Sequence, residues 1–115
     1  MSDATAEGEP PFHLFLEQRE VPLTAQALRL LLSDEAHEPG IRALAREVLA
    51  SLQLPADAQG ILTVTLAPAQ MKITHSALRL LVNDLQREQA DERAVLHAIL
   101  DKLPDEHTMR AIVLE

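Results

Sequence analysis

The chain contains no cysteine, tryptophan or tyrosine, and only two phenylalanines and three glycines among 115 residues. Without cysteine there are no disulfides, thiolate metal ligands, cysteine-held iron–sulfur clusters or thiol nucleophiles. Packing alone must hold the fold together. With Phe12 and Phe15 as the only rings, the aromatic platforms on which single-stranded nucleic acid stacks are missing. Gly8, Gly40 and Gly60 stand far apart, so no glycine cluster can cradle a phosphate or a dinucleotide.

A run of positive charge is also lacking. Lysine and arginine total 10 against 18 acids, for a net charge of −8, and the basic residues stand singly among acids. Nucleic-acid affinity rests largely on counterion release by a basic surface, so no nucleic-acid partner is expected. The paired helices described below are long enough for helix–turn–helix elements. Their faces, LAREVLASL and VLHAILDKL, offer few of the outward basic and amide groups that a recognition helix needs. No apolar run reaches the length of a membrane span, so no membrane partner is expected. MSDATAEGEPP is acidic and polar where a secretory signal is basic and then apolar. A soluble cytoplasmic protein is the expectation.

What the sequence does contain is repetition. ALRLL at residues 27–31 returns at 77–81, an offset of 77 − 27 = 50. At that offset LTAQALRLLLSD (Leu23 to Asp34) lies over ITHSALRLLVND (Ile73 to Asp84), and FHLFL (Phe12 to Leu16) lies over LTVTL (Leu62 to Leu66). After one inserted residue, RALAREVLASL (Arg42 to Leu52) falls over RAVLHAILDKL (Arg93 to Leu103). Alternation of period two marks FHLFL and LTVTL as half-buried strands, and apolar spacings of three and four mark the other segments as amphipathic helices.

The expected organisation is therefore an acidic, disordered tail over residues 1–10 and a single domain over 11–115. That domain comprises a strand–helix–helix unit at 11–54, a second at 61–104, and a final strand at 109–115 in MRAIVLE. The first helix is expected to open near Pro22 to Thr24 and the second at Pro39. The third should begin at Ala67-Pro68 and be the longest. The fourth should open with Asp91 and Glu92, which suit the positive end of a helix dipole, and bury Val95, Ala98, Ile99 and Leu103.

A strand, a helix returning and a second helix climbing again bring the chain back to the start of an antiparallel neighbour. Two such units would be related by a pseudo-twofold axis. The predicted fold class is α+β, with a small antiparallel sheet of about three strands and four helices packed on one face. Ala27 and Ala77 would permit close approach of the helices that carry the leucine stripes.

By alternation Phe15 points away from the helices and is exposed. The last strand reads as apolar on both faces, with Ile112 and Leu114 on one and Ala111 and Val113 on the other. An open sheet face and a free edge invite pairing, so a homodimer is expected, with Phe15, Ile112 and Val113 as the candidate interface residues and another protein as a possible further partner.

Chemistry is sparse. His97 and Asp101, four apart on one helix face, precede Asp105, Glu106 and His107, and such a group would suit a divalent metal or acid–base work. The spacing matches no metal motif, and neither a GxSxG elbow nor a serine triad is present. His75 stands where the other unit has Ala25, a departure from internal symmetry. Arg29 and Arg79 occupy equivalent positions and would either bind an anion between the units or pair with neighbouring acids. No catalytic residue, metal ligand or cofactor is assigned. The expected function is a non-enzymatic protein-interaction or regulatory domain acting as a homodimer, with a small metal-binding protein or enzyme built on His97 and Asp101 as the alternative.

Overall fold

The computed structural model describes residues 11–33, 38–85, 89–104, 108, 109 and 111. In chain order the elements are β1 (Phe12–Leu16), α1 (Glu20–Leu32), α2 (Pro39–Ser51), β2 (Leu62–Leu66), α3 (Pro68–Asp84) and α4 (Ala90–Asp101). The architecture is α+β: four helices and, among the described residues, an antiparallel sheet of two strands.

Both strands fall where alternation places them. In β2, Leu62, Val64 and Leu66 are buried while Thr63 and Thr65 are exposed; in β1, Leu14 and Leu16 are buried and His13 and Phe15 exposed. Pairing is centred on Leu14 opposite Val64, with Phe12 opposite Leu66 and Leu16 opposite Leu62. A slip of one residue would turn every leucine to water, so the buried face fixes this register.

The helices cover the apolar face of the sheet. On α1, Thr24, Ala27, Leu28 and Leu31 are buried, and on α3 so are Thr74, Ala77, Leu78 and Leu81. Ala27 and Ala77 have no exposed surface, as expected where two helix backbones approach closely. On α2 the core positions are Ala45 and Val48, followed by Leu52; on α4 they are Leu96 and Ile99, followed by Leu103. The expected placement of Ala98 in the core is corrected here, because Ala98 is exposed and Leu96 is buried in its stead. Leucine removes far more apolar surface from water than alanine, so it takes the inward position where the two compete.

A second correction concerns α1, which opens at Glu20 rather than near Pro22 to Thr24. Pro22 occupies the third helical position, still inside the first turn, where its missing N–H has no helical acceptor in any case. Helices α2 and α3 start at Pro39 and Pro68, each with the proline at the first position. Between the halves, Gly60 adopts a φ of 81° that only glycine takes at little cost. The Asp57 carboxylate accepts the N–H groups of Gln59 and Ile61 at 2.9 and 3.0 Å and so shapes the turn that leads into β2.

The expected strand over 109–115 does not begin at Met109. Thr108 and Met109 are helical, Met109 is buried, and Ala111 lies in a turn. Arg110 and residues 112–115, and with them the interface candidates Ile112 and Val113, lie outside the described residues, as does the tail over 1–10.

Two polar ties cross the apolar core at its rim. The Glu20 side chain, 3% exposed, accepts the Glu17 N–H at 2.7 Å and lies 2.6 Å from the Lys102 ammonium, which also donates to the Phe15 carbonyl at 2.9 Å. At the matching corner, Gln70 accepts the Ala67 N–H at 2.8 Å and donates to the Glu47 carboxylate at 2.9 Å. Thr24 and Thr74 each donate to a carbonyl four residues back, those of Glu20 and Gln70. The end of α1 is closed in a similar way, by Arg42 donating to the Leu32 carbonyl at 2.7 Å.

Replacing Lys102 by methionine strands the Glu20 carboxylate in the interior. The Lys102→Met variant is expected to lose about 2 kcal/mol of unfolding free energy in urea, less than for a fully buried pair because a third of the lysine is in water. Adding Glu20→Gln to it should restore part of that loss. A single variant as stable as the parent would contradict the dependence of Glu20 on Lys102.

Candidate functional site

Three surfaces carry groups with chemical potential, and each follows from the local fold. The first is the outer face of the sheet. Alternation directs His13, Phe15, Thr63 and Thr65 outward, and the register sets His13 opposite Thr65 and Phe15 opposite Thr63. The His13 Nδ1 and Thr65 Oγ1 atoms lie 3.2 Å apart. The Phe15 ring, at 54% exposure, is the largest apolar group on this face. Its position away from the helices agrees with the sequence expectation.

Main-chain groups in an antiparallel ladder point alternately to one edge and the other. Phe15 and Glu17, two apart, therefore point their main-chain groups to the same side. The Phe15 carbonyl is held by Lys102 and the Glu17 N–H by Glu20. A lysine planted on strand main chain is a recognised obstacle to adding another strand there, so this corner of β1 is closed to sheet extension.

The second surface is the outward face of α3. Lys72 and His75 are half-buried, while Ser76, Arg79 and Asn83 are exposed. Together with Leu80 and Met109 they line a concavity of about 400 Å³. The departure from symmetry at His75 thus falls inside a surface feature, whereas its counterpart Ala25 is buried at 6% exposure. Arg79 lines this groove and Arg29 does not, although both are exposed. Lys72, His75 and Arg79 each also engage another group of the chain.

The third surface is that of α4. His97 and Asp101 are both exposed. His97 lines a shallow depression with Ala90, Arg93 and Ala94, to which Asp101 does not contribute. Among the described residues no group of three or more histidine, aspartate or glutamate side chains is placed to hold a metal ion. Asp105, Glu106 and His107 lie outside the described residues. Two exposed side chains four apart supply at most two ligands, short of the three or four by which a protein holds a transition metal.

The Glu20–Lys102 pair was not foreseen from the sequence. A signal was present, because Glu20 and Gln70 fall at equivalent places in the two halves, three residues after Glu17 and Ala67. A glutamate or glutamine in the first turn of a helix can reach back to the N–H three residues earlier, as in a capping box. The partner, Lys102, is 82 residues away and no local pattern points to it.

No family model, no curated protein and no solved structure matches the chain. Among the described residues no helix is long and apolar enough to cross a membrane.

Replacing His97 and Asp101 by alanine should leave stability unchanged within about 0.5 kcal/mol, as for exposed positions generally. It should also leave zinc and nickel content, read by inductively coupled plasma mass spectrometry, the same as in the parent. A stoichiometric metal that disappears in either variant would favour the alternative placed on α4.

Proposed function

We propose that the domain is a non-enzymatic, cytoplasmic protein-interaction module that acts as a homodimer, joined through the outer face of its sheet around Phe15. The observation that carries this reading is the 54% exposure of a phenylalanine on a sheet face whose other outward residues are His13, Thr63 and Thr65. A ring flanked by small hydroxyl side chains suits a twofold contact, in which each copy presents the same patch to the other. The Lys102 contact at the Phe15 carbonyl argues for the face of β1 over its edge.

Size constrains the contact. Two strands of five residues make a face of roughly 17 by 10 Å, well under the ~800 Å² per partner typical of a stable interface. A stable dimer therefore needs more area than this face alone, and the sequence reading adds Ile112 and Val113, which lie outside the described residues, as further interface candidates.

We also infer that the domain arose by duplication of a strand–helix–helix unit and that a pseudo-twofold axis passes between Leu14 and Val64. Three observations support this. Leu14 and Val64 are equivalent at the offset of 50 and stand opposite each other in the ladder. The burial of Thr24, Ala27, Leu28 and Leu31 is matched at Thr74, Ala77, Leu78 and Leu81, and that of Ala45, Val48 and Leu52 at Leu96, Ile99 and Leu103. The reach of Glu20 and of Gln70 to an N–H three residues back recurs at both corners.

Phe15→Glu places a charge at the centre of the proposed contact while leaving the core untouched. Sedimentation equilibrium should find the dimer dissociation constant raised by about thirtyfold or more, with the circular dichroism spectrum unchanged. A dimer of parental affinity would reject this face as the interface.

A further inference from the structure

The basic residues stand singly in the sequence, yet the fold gathers three cationic or cation-forming side chains on one face of α3. Positions 72, 75 and 79 advance by three and four, so Lys72, His75 and Arg79 lie along one face. From Lys72 to Arg79 the helix rises about 10 Å, at about 1.5 Å per residue. The helix carries a single acid, Asp84, at its last position. On α3 itself basic side chains therefore outnumber acids, in a chain of net charge −8.

The surface is also shaped. Ser76 and Asn83 add neutral hydrogen-bonding groups, while Leu80, 40% exposed, and the buried Met109 give the concavity an apolar wall. We propose that this groove is a docking site for an acidic, partly apolar peptide segment of a partner protein. A polyproline-II segment rises about 3.1 Å per residue and presents the same face every third residue, so carboxylates three residues apart come close to spanning the ~10 Å between Lys72 and Arg79. An apolar residue between them meets Leu80.

Three considerations favour this occupant. Short acidic segments are complementary to the groove, whereas a long polyanion such as nucleic acid is repelled by the acidic remainder of the surface. The feature is confined to one half: the equivalent positions on α1 are Pro22, Ala25 and Arg29, a single cation, with Ala25 buried. It is therefore not a by-product of the packing stripe that both halves share. Finally, docking does not require a vacant cation, because it adds to or exchanges with the contacts that Lys72, His75 and Arg79 make within the chain. The groove is distinct from the sheet face, and the proposal stands whether or not the domain is a dimer.

The test is fluorescence anisotropy with a labelled hexapeptide, Asp-Leu-Glu-Asp-Leu-Glu, titrated with the full chain at low salt. The peptide is expected to bind, to weaken as sodium chloride rises, and to lose affinity by about fivefold in Arg79→Gln. Arg29→Gln, equivalent in position but outside the groove, should bind like the parent, and thermal melts of both variants confirm folding. The amide counterpart, Asn-Leu-Gln-Asn-Leu-Gln, should not bind. Failure of the acidic peptide to bind, or equal loss in both arginine variants, overturns the proposal. So does displacement of the peptide by equimolar inorganic phosphate, or tighter binding of a single-stranded oligonucleotide, each of which would assign the groove to a different anion.

Discussion

A carboxylate almost wholly withdrawn from water must find its partners inside the protein, and Glu20 finds three parts of the chain at once. It accepts the Glu17 N–H just before α1, meets the ammonium at the end of α4, and through that ammonium is tied to the carbonyl of Phe15 on β1. The apolar core beneath is large but non-directional, and leucine stripes can slide past one another with modest loss. Polar ties with short, defined geometry fix which turn of one helix meets which end of another. The Gln70–Glu47 contact does the same at the other rim, joining the start of α3 to α2. Each tie runs from the first turn of a long helix to the second helix of the opposite half, so neither half can shift without breaking one.

This arrangement decides where the molecule has surface left to use. The helices lie on one face of the sheet, and among the described residues the other face is uncovered, with Phe15 exposed on it. Lys102, drawn to Glu20, also takes the Phe15 carbonyl, so the interaction that organises the corner obstructs strand addition beside that carbonyl. The long helix α3 shows a different economy. Its buried Thr74, Ala77, Leu78 and Leu81 match Thr24, Ala27, Leu28 and Leu31 of α1, while the half-buried Lys72 and His75 stand where α1 carries the exposed Pro22 and the buried Ala25. Packing holds the shared stripe alike in both helices and lets the positions beside it differ.

Much of this was legible in the sequence, for identifiable reasons. The strands at Phe12–Leu16 and Leu62–Leu66 follow from period-two alternation, a pattern that no helix produces. Prolines marked the starts of α2 and α3 because proline is at home where helical N–H groups have no acceptor. Pro22 misled by two residues, since every position of the first turn shares that property. In α4, Ala94, Val95, Leu96, Ala98, Ile99 and Leu100 are apolar nearly all round the helix, so periodicity could not single out Leu96 over Ala98, and side-chain size settled it. The final apolar run is too short to separate strand from helix by period; its first residue, Met109, is helical, and residues 112–115 lie outside the described residues. Of the surfaces, the exposure of Phe15 could be read directly. The gathering of Lys72, His75 and Arg79 around a groove could not, because its shape depends on Met109, thirty residues farther along the chain.

Native mass spectrometry of the protein purified gently from its own cells tests the interaction-module reading most directly. One spectrum reports oligomeric state, bound metal and any attached protein. The account predicts a species of twice the 12.7 kDa chain mass, with or without a protein attached and with no stoichiometric metal. A lone 12.7 kDa species across the micromolar range, or a chain carrying one metal ion per copy, would contradict it.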